Sequence, residues 1–366
     1  MNNRRIVVIG SGVLGAAVSY YLSLRTDSSI TIIEQHDLAS GASGANLGQL
    51  SILDRTQDWH MPLAMESLRL YREMQSEIDV EYEQSGGGVV LLHDDQIDKV
   101  PGLLQQLNAL GVQAELLQGD RVNEQEPNLR TDFIKGFLYC PIEGKLNPLK
   151  VTLAYLDRAR GQGVQVMTHT RVTGFKKNGS RIVRVETTRG ELEADFVINA
   201  AGGWAKQVGA LADVVIPLNY HRGSALVTQS IEPLIRGPVV GGGFLFPSAA
   251  AEPPACHIGL ALIQSKDGTV LLAQATEPSE PDSRDVTLEG ISLMTANAIR
   301  YFPDLAGLEV VRTWACVTPY TDDGKPCYGL DRDVSNFFTV AGFKGAFTTA
   351  PAVGKMAAED ILKYLK

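Results

Sequence analysis

The chain has 366 residues, more than one ordinary hydrophobic core accommodates, so two domains are expected. Apolar residues make up 44% and charged residues 20%, as in globular proteins, and the net charge of −9 disfavours nucleic acid or an anionic membrane as the main partner. The first apolar run starts at Arg5, too early for a cleaved signal sequence, and no run approaches the roughly 20 residues that span a bilayer. We therefore expect a cytoplasmic protein.

The chain contains four cysteines, Cys140, Cys256, Cys316 and Cys327, and they form no C-x-x-C pair. This spacing indicates neither a zinc site, an iron–sulfur cluster nor a disulfide framework. No metal site is therefore predicted.

The start of the chain predicts a buried strand, a glycine-rich turn and a helix. Residues 5–9 are a β-branched run, and apolar residues recur at helical spacing over 16–24. The turn between them, residues 10–15, has the spacing G-x-G-x-x-G, and its candidate cofactor residues are Gly10, Gly12, Val13, Leu14 and Gly15. Glycines here allow the backbone to approach a pyrophosphate closely, and the helix N-terminus offers free N–H groups to the phosphates.

The second predicted strand, "SITIIEQ", ends in Glu34 and Gln35, and Glu34 comes 19 positions after Gly15. A carboxylate there can accept hydrogen bonds from both ribose hydroxyls of an adenosine, and its charge repels a 2′-phosphate. A solvated residue at a strand end would look the same in isolation. Together with the glycine turn, however, the carboxylate predicts a site for the ADP part of FAD or NAD.

The middle of the chain alternates between helical and strand-like patterns. We predict helices over 62–78, 97–110 and 147–163 and a strand over 86–93. The segment "ADFVINAAGGW" is a continuous apolar run that is expected to return to the parallel sheet. The strands between residues 214 and 277 are longer and alternate, which predicts an antiparallel sheet.

A helix is predicted over 288–301, and the chain closes with a strand, a glycine turn and a helix that starts at Ala350. The predicted fold class is α/β, with a Rossmann-type nucleotide-binding domain and a second α+β substrate domain on an antiparallel sheet. The nucleotide domain is expected to comprise residues 1–85, 145–212 and 308–366, and the substrate domain residues 86–144 and 213–307.

Six segments, in this order, resemble the D-amino-acid oxidase family of flavoproteins, whose fold is like that of glutathione reductase. They are "VVIGSGVLGAAVSYYL", "IIEQ", "SGASGANLGQL", "VINAAGGW", "RTWACVTPYTDDGKPCYG" and "VAGFKGAFTTAPAVGKMAAEDI". The family includes glycine and sarcosine oxidases and the β subunits of proline dehydrogenase, opine oxidase and hydrogen cyanide synthase. The resemblance implies FAD, not NAD, and oxidation of a C–N bond of an amine or amino acid by hydride transfer to the flavin.

The resemblance also implies which further residues hold FAD. Small residues let the backbone wrap the diphosphate and the ring, and the helix after the last glycine turn can stabilise a reduced flavin. Besides the residues of the first turn and second strand, the expected cofactor residues are Ser43, Ala45, Asn46, Gly48, Gln49, Leu50, Val172, Ala200, Ala201, Gly202, Trp204, Cys316, Gly342, Phe343, Lys344, Gly345, Ala346, Phe347 and Thr348. Cys316 resembles the cysteine that some sarcosine oxidases bond to the 8α-methyl group of the flavin. Its alternative role is that of a small buried thiol.

The substrate site departs from the better-known relatives. Thr318 stands where glycine oxidase and D-amino-acid oxidase carry an arginine that binds the substrate carboxylate, and "FTTAP" lacks the lysine of monomeric sarcosine oxidases. Arg55, Arg222 and Lys344 remain as cations for an anionic group, and Lys344, in the flavin turn, is the preferred one. The resemblance then implies a secondary or N-substituted amine, such as an imino acid or a sarcosine-like or opine-like compound.

The segment "GLALIQSKDGTVLLAQATEP" resembles the dehydrogenase branch of the family, several members of which pass electrons to a partner subunit. Three other interpretations stay open. An FAD-dependent 2-hydroxy-acid dehydrogenase would need a base, for which His60, His93, His169, His221 or His257 could serve. The chain could also be a non-catalytic flavin-binding subunit of a larger complex, or an NAD-dependent dehydrogenase. For His60 itself, which follows Trp59, a surface position is favoured over the flavin face.

Overall fold

The computed structural model describes residues 4–55, 59–246 and 256–365. The helices are α1 (Val13–Ser23), α2 (Ala42–Ala45), α3 (His60–Glu77), α4 (Asp94–Ala109), α5 (Asp120–Gln125), α6 (Pro148–Gly161), α7 (Ala205–Leu211), α8 (Leu288–Tyr301) and α9 (Ala346–Tyr364). The strands are β1 (Arg5–Ile9), β2 (Ser29–Ile33), β3 (Gln49–Leu50), β4 (Gly87–Leu91), β5 (Glu115–Leu117), β6 (Gly136–Cys140), β7 (Gly144–Lys145), β8 (Gln165–Met167), β9 (Val172–Asn178), β10 (Arg181–Thr187), β11 (Gly190–Glu193), β12 (Phe196–Asn199), β13 (Asn219–Ser230), β14 (Val239–Gly241), β15 (His257–Gln264), β16 (Thr269–Pro278), β17 (Val310–Tyr320), β18 (Cys327–Leu330) and β19 (Phe337–Ala341).

The first sheet has the strand order β18-β19-β12-β1-β2-β8, and its strands are parallel except for β18. β1 lies inside this sheet, so its residues 6–9 are buried on both faces, as an apolar parallel strand requires. Helices α1 and α9 pack against each other, and α1 also packs on α6. The predicted Rossmann-type layer is confirmed.

The second sheet has the order β17-β13-β16-β15-β14-β4-β6-β5 and is antiparallel except where β4 meets β14. β17 pairs with β13 from Tyr320 opposite Asn219 to Val310 opposite Thr228. These hydrogen bonds hold β17 in the second sheet, although the predicted nucleotide domain resumes at residue 308. We propose the same division into two domains with the second one extended to Tyr320. None of the described helices has the length and apolar character needed to cross a membrane.

The closing helix α9 begins at Ala346, four residues before the predicted start at Ala350. A helix that starts at Ala350 would have Pro351 in its first turn, where the missing N–H is harmless. Pro351 instead lies inside the helix and leaves the carbonyl of Phe347 without its helical donor. The hydroxyl of Tyr71 on α3 donates to that carbonyl at 2.6 Å and compensates for the loss.

Candidate cofactor and substrate site

A cavity of about 1620 Å³ lies between the two sheets and reaches the carboxyl ends of β1, β2 and β12. Parallel α/β sheets bind their ligands at this edge. A pocket for one small molecule measures about 300–1,000 Å³, so the cavity has room for a dinucleotide and a second molecule.

The glycine turn after β1 is packed too tightly for side chains. A Cβ on Gly10, whose φ is +105°, would lie 2.5 Å from the carbonyl oxygen of Ala200, and one on Gly15 would lie 2.1 Å from that of Gly10. Gly12 differs, because its Cβ would point toward the cavity and meet Ser43 Oγ at 3.0 Å. Gly10 and Gly15 thus serve the contact of α1 with the sheet, while Gly12 leaves a cradle that a side chain would fill.

Glu34 lies at the cavity end of β2 and is only 9% exposed. Its carboxylate accepts hydrogen bonds from the N–H and the hydroxyl of Ser11, at 3.0 and 2.8 Å, and from the N–H of His36 at 2.9 Å. A carboxylate has about four acceptor positions, so one remains for a ribose hydroxyl. The acceptor geometry of the site fits FAD. Ser11 was missed from the sequence, although its place between two glycines of the turn was a signal.

All the predicted cofactor residues line the cavity except Gly15, Gly48 and Leu50. Gly15 serves the packing described above, and Leu50 is wholly buried. Gly48 has a φ of +86°, and its Cβ would lie 2.0 Å from the carbonyl oxygen of Leu146. Gly48 and Leu50 therefore support the residues that line the cavity without lining it themselves. The contacts of the lining residues with FAD stay a prediction.

Arg55 lies beneath the last glycine turn and is 3% exposed. Its guanidinium donates to the carbonyl oxygens of Ser51 and Lys344, at 3.2 and 3.4 Å, and lies 3.2 Å from the Asp54 carboxylate. A Cβ on Gly345 would lie 1.8 Å from Arg55 Nη2. Arg55 therefore holds the turn in place, and its charge is matched inside the protein by Asp54, which nothing in the sequence had singled out.

Lys344 belongs to the same turn, lines the cavity and keeps about half of its side chain exposed. Its Nζ lies 3.8 Å from the Asp54 carboxylate. Since an ammonium group has three donors, Lys344 can approach Asp54 and still donate to a ligand in the cavity.

His60 was expected at the surface, and this was wrong, because the side chain is 3% exposed. Its ring stacks on that of Trp59 with a centroid distance of 4.3 Å. Burial, reinforced by the nearby Arg55 charge, lowers the pKa of His60 to about 4. The imidazole is therefore neutral at ordinary pH and is not among the residues that line the cavity.

The second sheet forms the opposite wall, where Thr318 and Cys316 on β17 line the cavity. Burial raises the pKa of the Cys316 thiol to about 11, so the thiol is protonated at neutral pH. Arg222 does not reach the cavity. Its guanidinium pairs with Glu277 on the neighbouring strand and donates to Ser283 Oγ at 2.9 Å, which removes it as a substrate ligand.

Residues 5–360 match the model of a family described as FAD dependent oxidoreductase (DAO). The chain belongs to this family. Its cofactor is FAD, and it is an oxidoreductase that acts on amines or amino acids. The NAD-dependent and non-catalytic interpretations of the sequence are therefore set aside.

Among curated proteins, the chain is 24% identical to glycine oxidase of Geobacillus kaustophilus, over 97% of this chain and 92% of the relative. It is 26% identical to sarcosine oxidase subunit beta of Arthrobacter sp, over 97% and 86%. Among solved structures, L-proline dehydrogenase from P. horikoshii superposes with a TM-score of 0.89 at 25% identity, over 99% and 94% of the two chains.

Proposed function

We propose that this enzyme oxidises the C–N bond of a secondary or N-substituted amine, such as an imino acid or a sarcosine-like or opine-like compound. The observation that carries the proposal is the wall that the second sheet presents to the cavity, which contains many small side chains and, among its described residues, no arginine or lysine. Its small residues include Gly223, Ser224, Ala225, Ala261, Ala273 and Thr276, and its larger ones include His221, His257, Gln274 and Tyr320. When bound, FAD supplies the hydride acceptor.

No arginine or lysine occurs among the described wall residues on β13 to β17. A bare carboxylate therefore finds no planar, bidentate partner there, and Thr318 cannot replace the charge of an arginine. The small side chains instead leave space for a substituent on the nitrogen. Because burying an unpaired charge is costly, this wall also favours the uncharged amine, which is the form that can give up a hydride.

Lys344 is the residue that we propose for an anionic group of the substrate. Lys344 belongs to the last glycine turn, and both Lys344 and Thr318 line the cavity. A carboxylate bound there would interact with the single charge of an ammonium group and not with the two parallel donors of a guanidinium. Its position would therefore be less fixed, and substrates of different length could bind.

The names of two relatives agree with this substrate class. Sarcosine and L-proline, after which the Arthrobacter protein and the P. horikoshii enzyme are named, are both secondary amines. Glycine, the substrate in the name of the third relative, is a primary amine. These names support a choice that the wall residues already favour.

The test is steady-state kinetics with an artificial dye on sarcosine, L-proline, an opine, glycine, D-alanine and lactate. We expect a preference for the secondary amines of roughly 100-fold or more in kcat/KM, the scale of one charge-assisted contact of about 3 kcal/mol. Thr318→Arg should shift activity toward D-alanine, whereas Thr318→Gln, similar in bulk but uncharged, should not. Equal turnover of D-alanine by the unmodified enzyme would overturn the proposal, and a preference for lactate would favour the 2-hydroxy-acid dehydrogenase.

We also propose that the electrons leave to a partner subunit. The Arthrobacter relative is, by its name, one subunit of a larger enzyme. Anaerobic mixing with the amine should bleach the flavin, and the dye should then reoxidise it much faster than oxygen does. Reoxidation by oxygen at the rate of turnover would show instead that no partner is needed.

A further inference from the structure

Residues 279–286 lie between β16 and the N-cap of α8, Thr287, and contain no helix or strand. From this segment Asp282 reaches the nucleotide-binding side of the cavity, where its carboxylate accepts a hydrogen bond from Trp204 Nε1 at 2.6 Å. Asp282 and Trp204 both line the cavity. The contact therefore joins the second sheet to the first along one side of the cofactor site.

Trp204 follows β12 at the carboxyl edge of the first sheet and packs beside the small-residue segment that carries Ser43. A Cβ on Gly41 would lie 3.4 Å from its ring, and the ring of His36 approaches it edge-on, with a centroid distance of 6.1 Å. The indole thus lies against the predicted pyrophosphate and ribose region, and Asp282 holds it there.

The segment is anchored at two more points. Arg222 on β13 donates to Ser283 Oγ at 2.9 Å and is itself paired with Glu277 at the end of β16. The guanidinium of Arg284 lies 5.9 Å from the centre of the Trp204 ring, within the range of a cation–π contact. Arg222, which the sequence offered as a substrate ligand, therefore has a use in the fold, since it fixes the segment that presents Asp282.

We propose that residues 279–286 are a latch for the cofactor, in which the Asp282–Trp204 hydrogen bond keeps the two sides of the cavity together and slows the release of FAD. A contact between the two domains has to break before a ligand held between them can leave. Breaking this contact should raise the dissociation rate of FAD. The association rate should change little, because the hydrogen bond acts in the closed site, after FAD has entered it.

The experiment measures FAD release from the holoenzyme by the gain in fluorescence of free flavin after high dilution into flavin-free buffer, where rebinding is negligible. All variants carry Cys316→Ala, so that no covalent bond to the flavin contributes. Asp282→Ala should release FAD about 10-fold faster, as expected for the loss of a hydrogen bond to a charged acceptor at a partly exposed site. Trp204→Phe, which keeps a ring but loses the N–H donor, should act in the same direction.

The double variant Asp282→Ala/Trp204→Phe decides whether the two residues act as a pair. Its release rate should match that of the faster single variant, since the same bond cannot be lost twice. The matched control is Asp285→Ala, because Asp285 lies exposed in the same segment and makes no hydrogen bond within the described part of the chain. A release rate for Asp282→Ala within twofold of the control, or single effects that multiply in the double variant, would overturn the latch.

Discussion

Replacing Glu143 with glutamine perturbs a carboxyl group that is completely buried behind the cavity. Glu143 lies between β6 and β7, and its Oε1 accepts hydrogen bonds from the N–H groups of Ile52 and Leu53 at 2.8 and 3.0 Å. These bonds fix the segment that carries Arg55 to the last glycine turn. Burial, with a smaller contribution from the Asp54 charge, raises the pKa of Glu143 from 4.5 to about 7.

The raised pKa makes the stability of the protein depend on pH. Between pH 4.5 and about 7 the folded protein keeps a proton that the unfolded chain has released, so the free energy of unfolding falls as the pH rises. At 1.36 kcal/mol per pH unit, this interval corresponds to about 3 kcal/mol. Glu143→Gln keeps an oxygen that can accept from both N–H groups but cannot ionise, so it should not show this loss.

Thermal unfolding of the FAD-saturated protein between pH 4.5 and 8.5 measures the difference. With an unfolding entropy of about 2.1 cal/mol/K per residue, about 3 kcal/mol in 366 residues corresponds to about 4 °C in Tm. The Tm of Glu143→Gln relative to the unmodified protein should therefore rise by about 4 °C from pH 4.5 to 8 and stay constant above that. The exposed Glu124→Gln is the control and should follow the unmodified protein. A Tm difference for Glu143→Gln that does not change with pH would refute the reasoning.

Three further predictions concern the cofactor and the last glycine turn. Glu34→Ala removes the predicted ribose acceptor and Gly12→Val fills the cradle at the turn, so each should lose bound FAD, and stoichiometric flavin absorbance in either purified variant would contradict the placement. After acid precipitation a yellow pellet would show a flavin bonded to Cys316 and a yellow supernatant a free one. If Cys316→Ala alters neither the flavin spectrum nor its reduction, the thiol belongs to the core. Gly345→Ala should lower stability by about 1–3 kcal/mol in urea unfolding, because its Cβ would collide with Arg55 at a φ of +59°, and an unchanged midpoint would contradict this account of the turn.

Two substitutions serve as controls for these variants. Asp37→Ala changes an exposed carboxylate near Glu34 and should leave the flavin content unchanged. Gly161→Ala introduces a Cβ at the end of α6, where no atom lies within 4 Å, and should leave stability equal or slightly higher. Loss of flavin in the first or of stability in the second would mean that the cofactor variants report general damage.

The nucleotide half of the fold could be predicted from the sequence because its signals are local. The strand, the glycine spacing and Glu34 lie within one stretch of about thirty residues. The order of apolar and polar residues in each element follows from which of its faces is buried. The start of α9 could not be predicted, since Pro351 is tolerated inside the helix through a hydroxyl of Tyr71, 276 residues away along the chain from the carbonyl that it binds. The pairing of β17 with the second sheet could not be predicted for a related reason, because strand pairing is a contact between distant segments.

Arg55 and Arg222 show most clearly why the substrate site could not be predicted fully from the sequence. Glu277, the carboxylate that pairs with Arg222, lies 55 residues away along the chain. Arg55 pairs with the adjacent Asp54, but the carbonyl of Lys344 that it also reaches lies 289 residues away. Arg222 is used within the fold and does not line the cavity, whereas Arg55 lines the cavity but already pairs with Asp54 and donates to the carbonyl of Lys344. Under the proposed function, the ammonium of Lys344 binds the anionic group through its charge, and the second-sheet wall, which lacks arginine and lysine among its described residues, accommodates the rest of the substrate. We therefore expect such a site to discriminate between amines by the substituent on their nitrogen more strongly than by the geometry of a carboxylate.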